Sequence, residues 1–159
     1  MGIALKCELA CEVLRSTGSL RVPAVGRSMV PTIWPGDTLA VVQVTMEEVN
    51  VGDIVVTRRE GCLVSHRVVS IADSSDGPLL VTQGDAAWTK DQPVRENEVL
   101  GRVVYVISAG KRITVSRELN VAQRFVAKMV RRSPRAASVL VYLHSKLRTQ
   151  QEFLLPCQG

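Results

Sequence analysis

Between Leu20 and Ser108 the chain is divided into six short runs rich in Val and Ile: "LRVPAV", "DTLAVVQV", "GDIVVTR", "CLVSHRVVSI", "PLLVTQ" and "VLGRVVYVIS". They are separated by clusters of Gly, Pro, Asp and Ser, with loops at "WPGD", "NVGD", "SSDG" and "GDAAWTKDQP". β-Branched residues fit a pleated surface, and these turn-formers end each run before a helix could establish its period. Six such runs in about 90 residues predict a mainly β fold, a compact, partly closed β-barrel.

The flanks have a different period. Leu5, Leu9, Val13 and Leu14 recur at helical spacing and Gly18 follows as a stop, so Ala4 to Ser16 is expected to form a short amphipathic helix. From Ser116 the helical pattern returns. Leu119, Ala122, Phe125, Val126, Met129 and Val130 share one face, with Arg124, Lys128, Arg131 and Arg132 around the other. Ser133 can cap a second helix with Pro134 in its first turn, carrying Val139, Leu140, Leu143 and Leu147, with His144 expected at the surface. The organisation read from the sequence is an N-terminal helix over 1–19, a β-rich body over 20–115 and a basic helical tail over 116–159.

Hydrophobic residues at 46% against 22% charged argue for a folded globular protein. No stretch approaches the roughly 18–20 consecutive apolar residues of a spanning helix. Lys6, Glu8, Glu12 and Arg15 interrupt the first apolar stretch as a signal peptide would not allow, so this segment is read as part of the mature fold. The expected location is peripheral at a membrane, otherwise cytoplasmic. Cys7, Cys11, Cys62 and Cys157 lack CxxC spacing and paired histidines, and are read as free, mostly buried thiols rather than as a metal site.

Charge is distributed unevenly. Residues 1–110 carry ten Lys/Arg against thirteen Asp/Glu, net −3, while 111–159 carry ten against two, net +8. A mildly acidic body with a basic tail points to an anionic partner, lipid headgroups or nucleic acid, or to a solvated helix face. An aromatic content of 4% leaves little for base stacking and argues against nucleic acid. Two basic amphipathic helices fit a membrane surface, packing on the body or self-association.

The segment "GRSMVPTIWPGD" holds Ser28 among turn-formers, as a presented nucleophile requires. A serine hydroxyl needs a base within hydrogen-bond reach. The β-rich body contains one histidine, His66, in a strand pattern where it shares a face with Val64 and Val68. An imidazole there suits a general base, and also a structural hydrogen bond. Lys90, the one lysine between Ser28 and Lys111, lies in a turn-rich loop that would not bury it, so a Ser-Lys pair is unattractive. Asp85 and Asp91 flank "GDAAWTKD", and chemistry alone does not choose which would orient the histidine.

Taken together, "GRSMVPTIWPGD", "VNVGDIVV", "SHRVVSI", "LLVTQGDAAWTKD" and "VLGRVVYV" resemble, in order and approximate spacing, the signal peptidase I family. The resemblance is closest to the Ser-His branch of the endoplasmic reticulum, archaea and some spore-forming bacteria, and covers roughly Val22 to Val106. It implies Ser28 as nucleophile, His66 as general base and Asp91, six residues beyond Asp85, as the third member of a triad. Asp85 would shape the loop or support the site. Gly26 would allow close backbone approach, with Met29, Pro31 and Pro35 holding the turn and backbone N–H groups near Ser28 forming the oxyanion hole.

The implied activity is a serine endopeptidase that needs no metal or organic cofactor. It would bind a preprotein or leader peptide, extended along a strand edge, and cut after small residues. Family members normally carry an N-terminal transmembrane helix, which this sequence replaces with a short amphipathic one. The related self-cleaving SOS-response repressors use a lysine base and a DNA-binding domain, and neither is legible here. A catalytically inactive peptide- or membrane-binding module on the same fold is the other reading.

Overall fold

The computed structural model describes residues 3–75 and 77–153. Helix α1 (Ile3–Thr17) leads into strands β1 (Ser19–Pro23), β2 (Thr38–Val42), β3 (Ile54–Arg59), β4 (Cys62–Ala72), β5 (Leu79–Gln83), β6 (Val99–Ser108) and β7 (Lys111–Thr114). Helices α2 (Val121–Arg132) and α3 (Pro134–Phe153) follow. All strand pairs are antiparallel, in the order β1-β2-β6-β3-β4-β5, with β7 added to the C-terminal half of β6.

The six expected strands are present, and β7 is an addition. Ala109 and Gly110 both take positive φ, 47° and 75°, the geometry of a two-residue hairpin turn, so β6 folds straight back onto "KRIT". Among the described residues the pairing follows one path in which no ladder joins β1 to β5, so the sheet is antiparallel and not closed. Register shifts at Ala40/Val41, Val56/Thr57 and Val68/Ser70 bend the long strands locally.

β3 is apolar on both faces because it separates two cores. Ile54 and Val56 join Leu14, Met29, Ile33, Leu39, Val103 and Val106 on one side. Val55 joins Met46, Val49, Val68, Leu80 and Val94 on the other. Leu80 is fully buried, so Leu80→Ala should cost about 2–5 kcal/mol.

The helices depart from expectation in detail. Residues 116–120 are not helical, and α2 begins at Val121 with Asn120 as its cap, its side chain accepting from the Gln123 N–H at 2.8 Å. Ser133 caps α3 as expected, accepting from the Ala136 N–H at 3.2 Å. His144 is not a free surface residue: its ring stacks on Trp34 at 4.1 Å and 5°. Cys7 and Cys11 are buried free thiols, but Cys62 is exposed, and Cys157 lies outside the described residues. No helix among the described residues is long and apolar enough to cross a membrane.

Candidate active site

Ser28 lies in a single tight turn between β1 and β2. The Val30 N–H donates to the Arg27 carbonyl and the Ile33 N–H to that of Met29, which winds the chain once around the serine. Met29 and Ile33 are buried in the first core and anchor that turn from below. "WPGD" closes the loop: the Gly36 N–H donates to the Ala24 carbonyl and the Ala24 N–H to that of Asp37, both at 2.8 Å. The serine is thereby held on a clamped loop rather than a mobile one.

His66 stands on β4 and Asp91 on the loop after β5. His66 Nε2 lies 2.9 Å from Ser28 Oγ, and His66 Nδ1 lies 2.6 Å from Asp91 Oδ2. Asp91 Oδ2 also accepts from Thr82 Oγ1 at 2.6 Å, and the Asp91 N–H donates to the Thr82 carbonyl. With the Asp91 carboxylate as acceptor, Nδ1 carries the proton and Nε2 is left to accept from the Ser28 hydroxyl. The side chains of His66 and Asp91 are 12% and 21% exposed, which limits competition from water while leaving the serine reachable.

Asp85 is engaged elsewhere. The Arg67 guanidinium grips it through two parallel bonds, Nε to Oδ1 and Nη2 to Oδ2, each 2.8 Å, and Thr32 Oγ1 donates to Oδ2 at 2.5 Å. Arg67 Nη1 also donates to the carbonyls of Gly52, Ser116 and Arg117. One buried guanidinium thus ties the serine turn, the loop after β5 and the segment leading to α2. Asp53 performs a similar task nearby, accepting from the Asn50 N–H and from Arg117 and Arg102. Burial pushes its carboxyl up, but those donors outweigh burial and hold it below the ordinary carboxylate range.

The glycine that allows close approach is Gly84 rather than Gly26. A Cβ at Gly26 would meet only Ser28 Oγ, at 4.0 Å. At Gly84 it would stand 2.7 Å from the Ser28 carbonyl, 2.9 Å from its Cβ and 3.1 Å from His66 Nε2. The Ala86 N–H donates to the Ser28 carbonyl at 2.8 Å, so this loop is pressed directly onto the serine.

A groove of about 650 Å³ runs from Ser28 to α1. Its walls are the consecutive residues Leu20 to Gly26 on one side and Gly61 to Ser65 on the other, with Met29 in its floor and Cys7 and Ala10 at the far end. An unbroken run of residues lines a groove when the strand presents its backbone edge, since a strand face would contribute every second residue. Among the described residues β1 pairs only with β2, and the first half of β4 only with β3, so both edges have backbone groups available. Burial pushes the Cys7 thiol up, and neighbouring Cys11 adds to the effect, which makes Cys7 an inert wall rather than a reactive thiolate.

Ser28, His66 and Asp91 are therefore within hydrogen-bond reach in one chain, Lys90 is exposed in its loop, and Asp85 belongs to a separate ion pair. Thr82, Thr32, Arg67 and Gly84 were not marked by the sequence as parts of the site. Their signal was weak: two threonines among apolar residues, an arginine next to the histidine, and a glycine read as half of a turn. No protein-family model matches the chain, and no curated protein matches it significantly.

Proposed function

We propose that this chain is a serine endopeptidase resembling signal peptidase I, acting through Ser28, His66 and Asp91. The observation that carries the reading is the ordered relay Ser28 Oγ, His66 Nε2, His66 Nδ1, Asp91 Oδ2, at 2.9 and 2.6 Å, placed at the end of an apolar groove. Ser28 Oγ attacks the peptide carbonyl while His66 Nε2 takes its proton. His66 returns that proton to the leaving amine, and water then releases the acyl-enzyme by the same steps in reverse. Asp91 holds the imidazole in its tautomer and stabilises the imidazolium, and Thr82 fixes Asp91. Backbone N–H groups of the Ser28 turn would face the developing oxyanion.

The substrate would be an extended segment of a preprotein or leader peptide with small residues before the cut. The two open edges supply main-chain partners, and the apolar walls supply selectivity. Such a strand would pair with β1 and β4 together, and the reading takes the bent sheet as the partly closed barrel of that family. The test is cleavage of Ala-x-Ala peptides by the purified chain, read by mass spectrometry. Cleavage by the wild type that disappears in both Ser28→Ala and His66→Ala supports the reading. Cleavage that survives either substitution, or a folded wild type that cuts no peptide of the set, refutes it in favour of a binding module.

A further inference from the structure

The apolar face of α2 is only half used by the body. Val126 and Val130 pack with Val30, Trp34 and Ala86, and Ala127 is buried. The other half of the same face points outward: Val121, Phe125 and Met129, one turn apart, are exposed, Phe125 by 64%. α3 repeats this arrangement, with Ala137 and Leu140 turned inward and Val139, Leu143 and Leu147 exposed. Large apolar side chains left outside at regular helical spacing mark a surface that lacks its partner.

The charges beside these stripes have one sign. Arg124, Lys128, Arg132, Arg135 and Lys146 are exposed on the same two helices, and residues 119–151 contain no Asp or Glu. Cations alternate with apolar groups along α2, as in Arg124-Phe125 and Lys128-Met129, so a partner must meet both within one shallow layer. Trp88, 64% exposed, stands beside them, its indole N–H donating to the Arg131 carbonyl at 2.9 Å. The boundary between anionic headgroups and acyl chains offers negative charge and apolar volume within about 5–10 Å of each other.

From this charge and apolar complementarity we infer that α2 and α3 dock peripherally on an anionic lipid surface, through Phe125, Met129, Val139 and Leu143 with the flanking cations. The inference is independent of the cleavage chemistry, but it has a consequence for it. Arg27 donates to Ser138 Oγ at 3.1 Å and Val30 packs with Ala137, so the docked helices would hold the Ser28 turn at the membrane.

The experiment is co-sedimentation of the full chain with vesicles of phosphatidylcholine alone and of phosphatidylcholine mixed with phosphatidylglycerol, folding being checked by circular dichroism. The expected result is binding to the anionic vesicles, weakened by salt. Lys128→Glu/Arg135→Glu and, separately, Phe125→Ser/Met129→Ser should each lower the partition coefficient about tenfold or more. These are exposed side chains, so both variants should fold. A folded wild type that stays in the supernatant, or variants that bind as well as the wild type, overturns the inference. So does lipid-free dimerisation that Phe125→Ser/Met129→Ser abolishes while vesicle binding persists, which would assign the face to a second copy. Retention of duplex DNA, lost with the charge reversal but not with the apolar pair, accompanied by no vesicle binding, would assign it to nucleic acid.

Discussion

Two aspartates on one loop, Asp85 and Asp91, are built alike and placed differently. Each accepts from a threonine hydroxyl and from a nitrogen base on β4, Asp85 from Thr32 and Arg67, Asp91 from Thr82 and the adjacent His66. Asp85 is 3% exposed and meets a guanidinium that stays charged, which makes a fixed tie. Asp91 is 21% exposed and meets an imidazole that can gain and lose a proton, itself 2.9 Å from the Ser28 hydroxyl that lines the groove. The difference teaches that the partner, more than the carboxylate, decides whether such a contact holds a fold together or can drive a reaction.

The strongest way to break that comparison is at the far end of the relay. Ser28→Ala or His66→Ala should abolish peptide cleavage, by about 10⁶-fold in kcat for a serine-histidine mechanism, with little change in thermal midpoint. Asp91→Asn should lower kcat by about 10⁴-fold through the wrong histidine tautomer and leave stability nearly intact. Asp85→Asn should do the opposite, costing about 3–5 kcal/mol of stability because Arg67 is left buried without its counter-charge. Thermal melts and single-turnover cleavage on both variants decide the matter, and equal effects on both readouts would erase the distinction.

A smaller effect is expected where the loop meets the serine. Gly84→Ala must displace Ser28 or His66, costing about 1–3 kcal/mol and about 10²-fold in kcat, whereas Gly26→Ala, which meets nothing closer than 4.0 Å, should be near neutral. The smallest effect concerns Asp53. Its carboxyl is held below the ordinary range in the folded chain, so the stability it contributes is present above the unfolded value of about 3.9 and is lost as pH falls through the folded one. Urea unfolding followed from pH 6 to pH 2 should therefore show an acid decline that is shallower in Asp53→Asn.

The strands were legible because β-branched runs and turn residues report local geometry, and β4 around His66 is a case where both agree. β7 was missed because "KRIT" has only one strongly apolar residue and takes its pairing from β6 and the Ala109-Gly110 turn. α2 was legible as a helix, but its rotation was not. Periodicity finds an apolar face, while the body decides how much of that face it covers, and here Phe125 and Met129 are left outside. In the site, Ser28, His66 and Asp91 could be named from ordered motifs, but the bonds of Arg67 reach Asp85, Gly52 and Ser116, positions that no local pattern connects. Gly84 was overlooked for the same reason: its constraint comes from Ser28, far away in sequence.

The groove walls have a further consequence, for solubility. Unpaired strand edges normally invite another molecule's sheet to extend them, and proteins guard them with charge, bulges or a covering element. Here the unpaired edges of β1 and of the first half of β4 line one shared groove, and α1 lies against both strands with Cys7 and Ala10 at its end. A lone extended segment can enter such a space, but the broad edge of a neighbouring sheet is kept out, so these two edges are guarded against edge-to-edge pairing by the same walls that would admit a peptide.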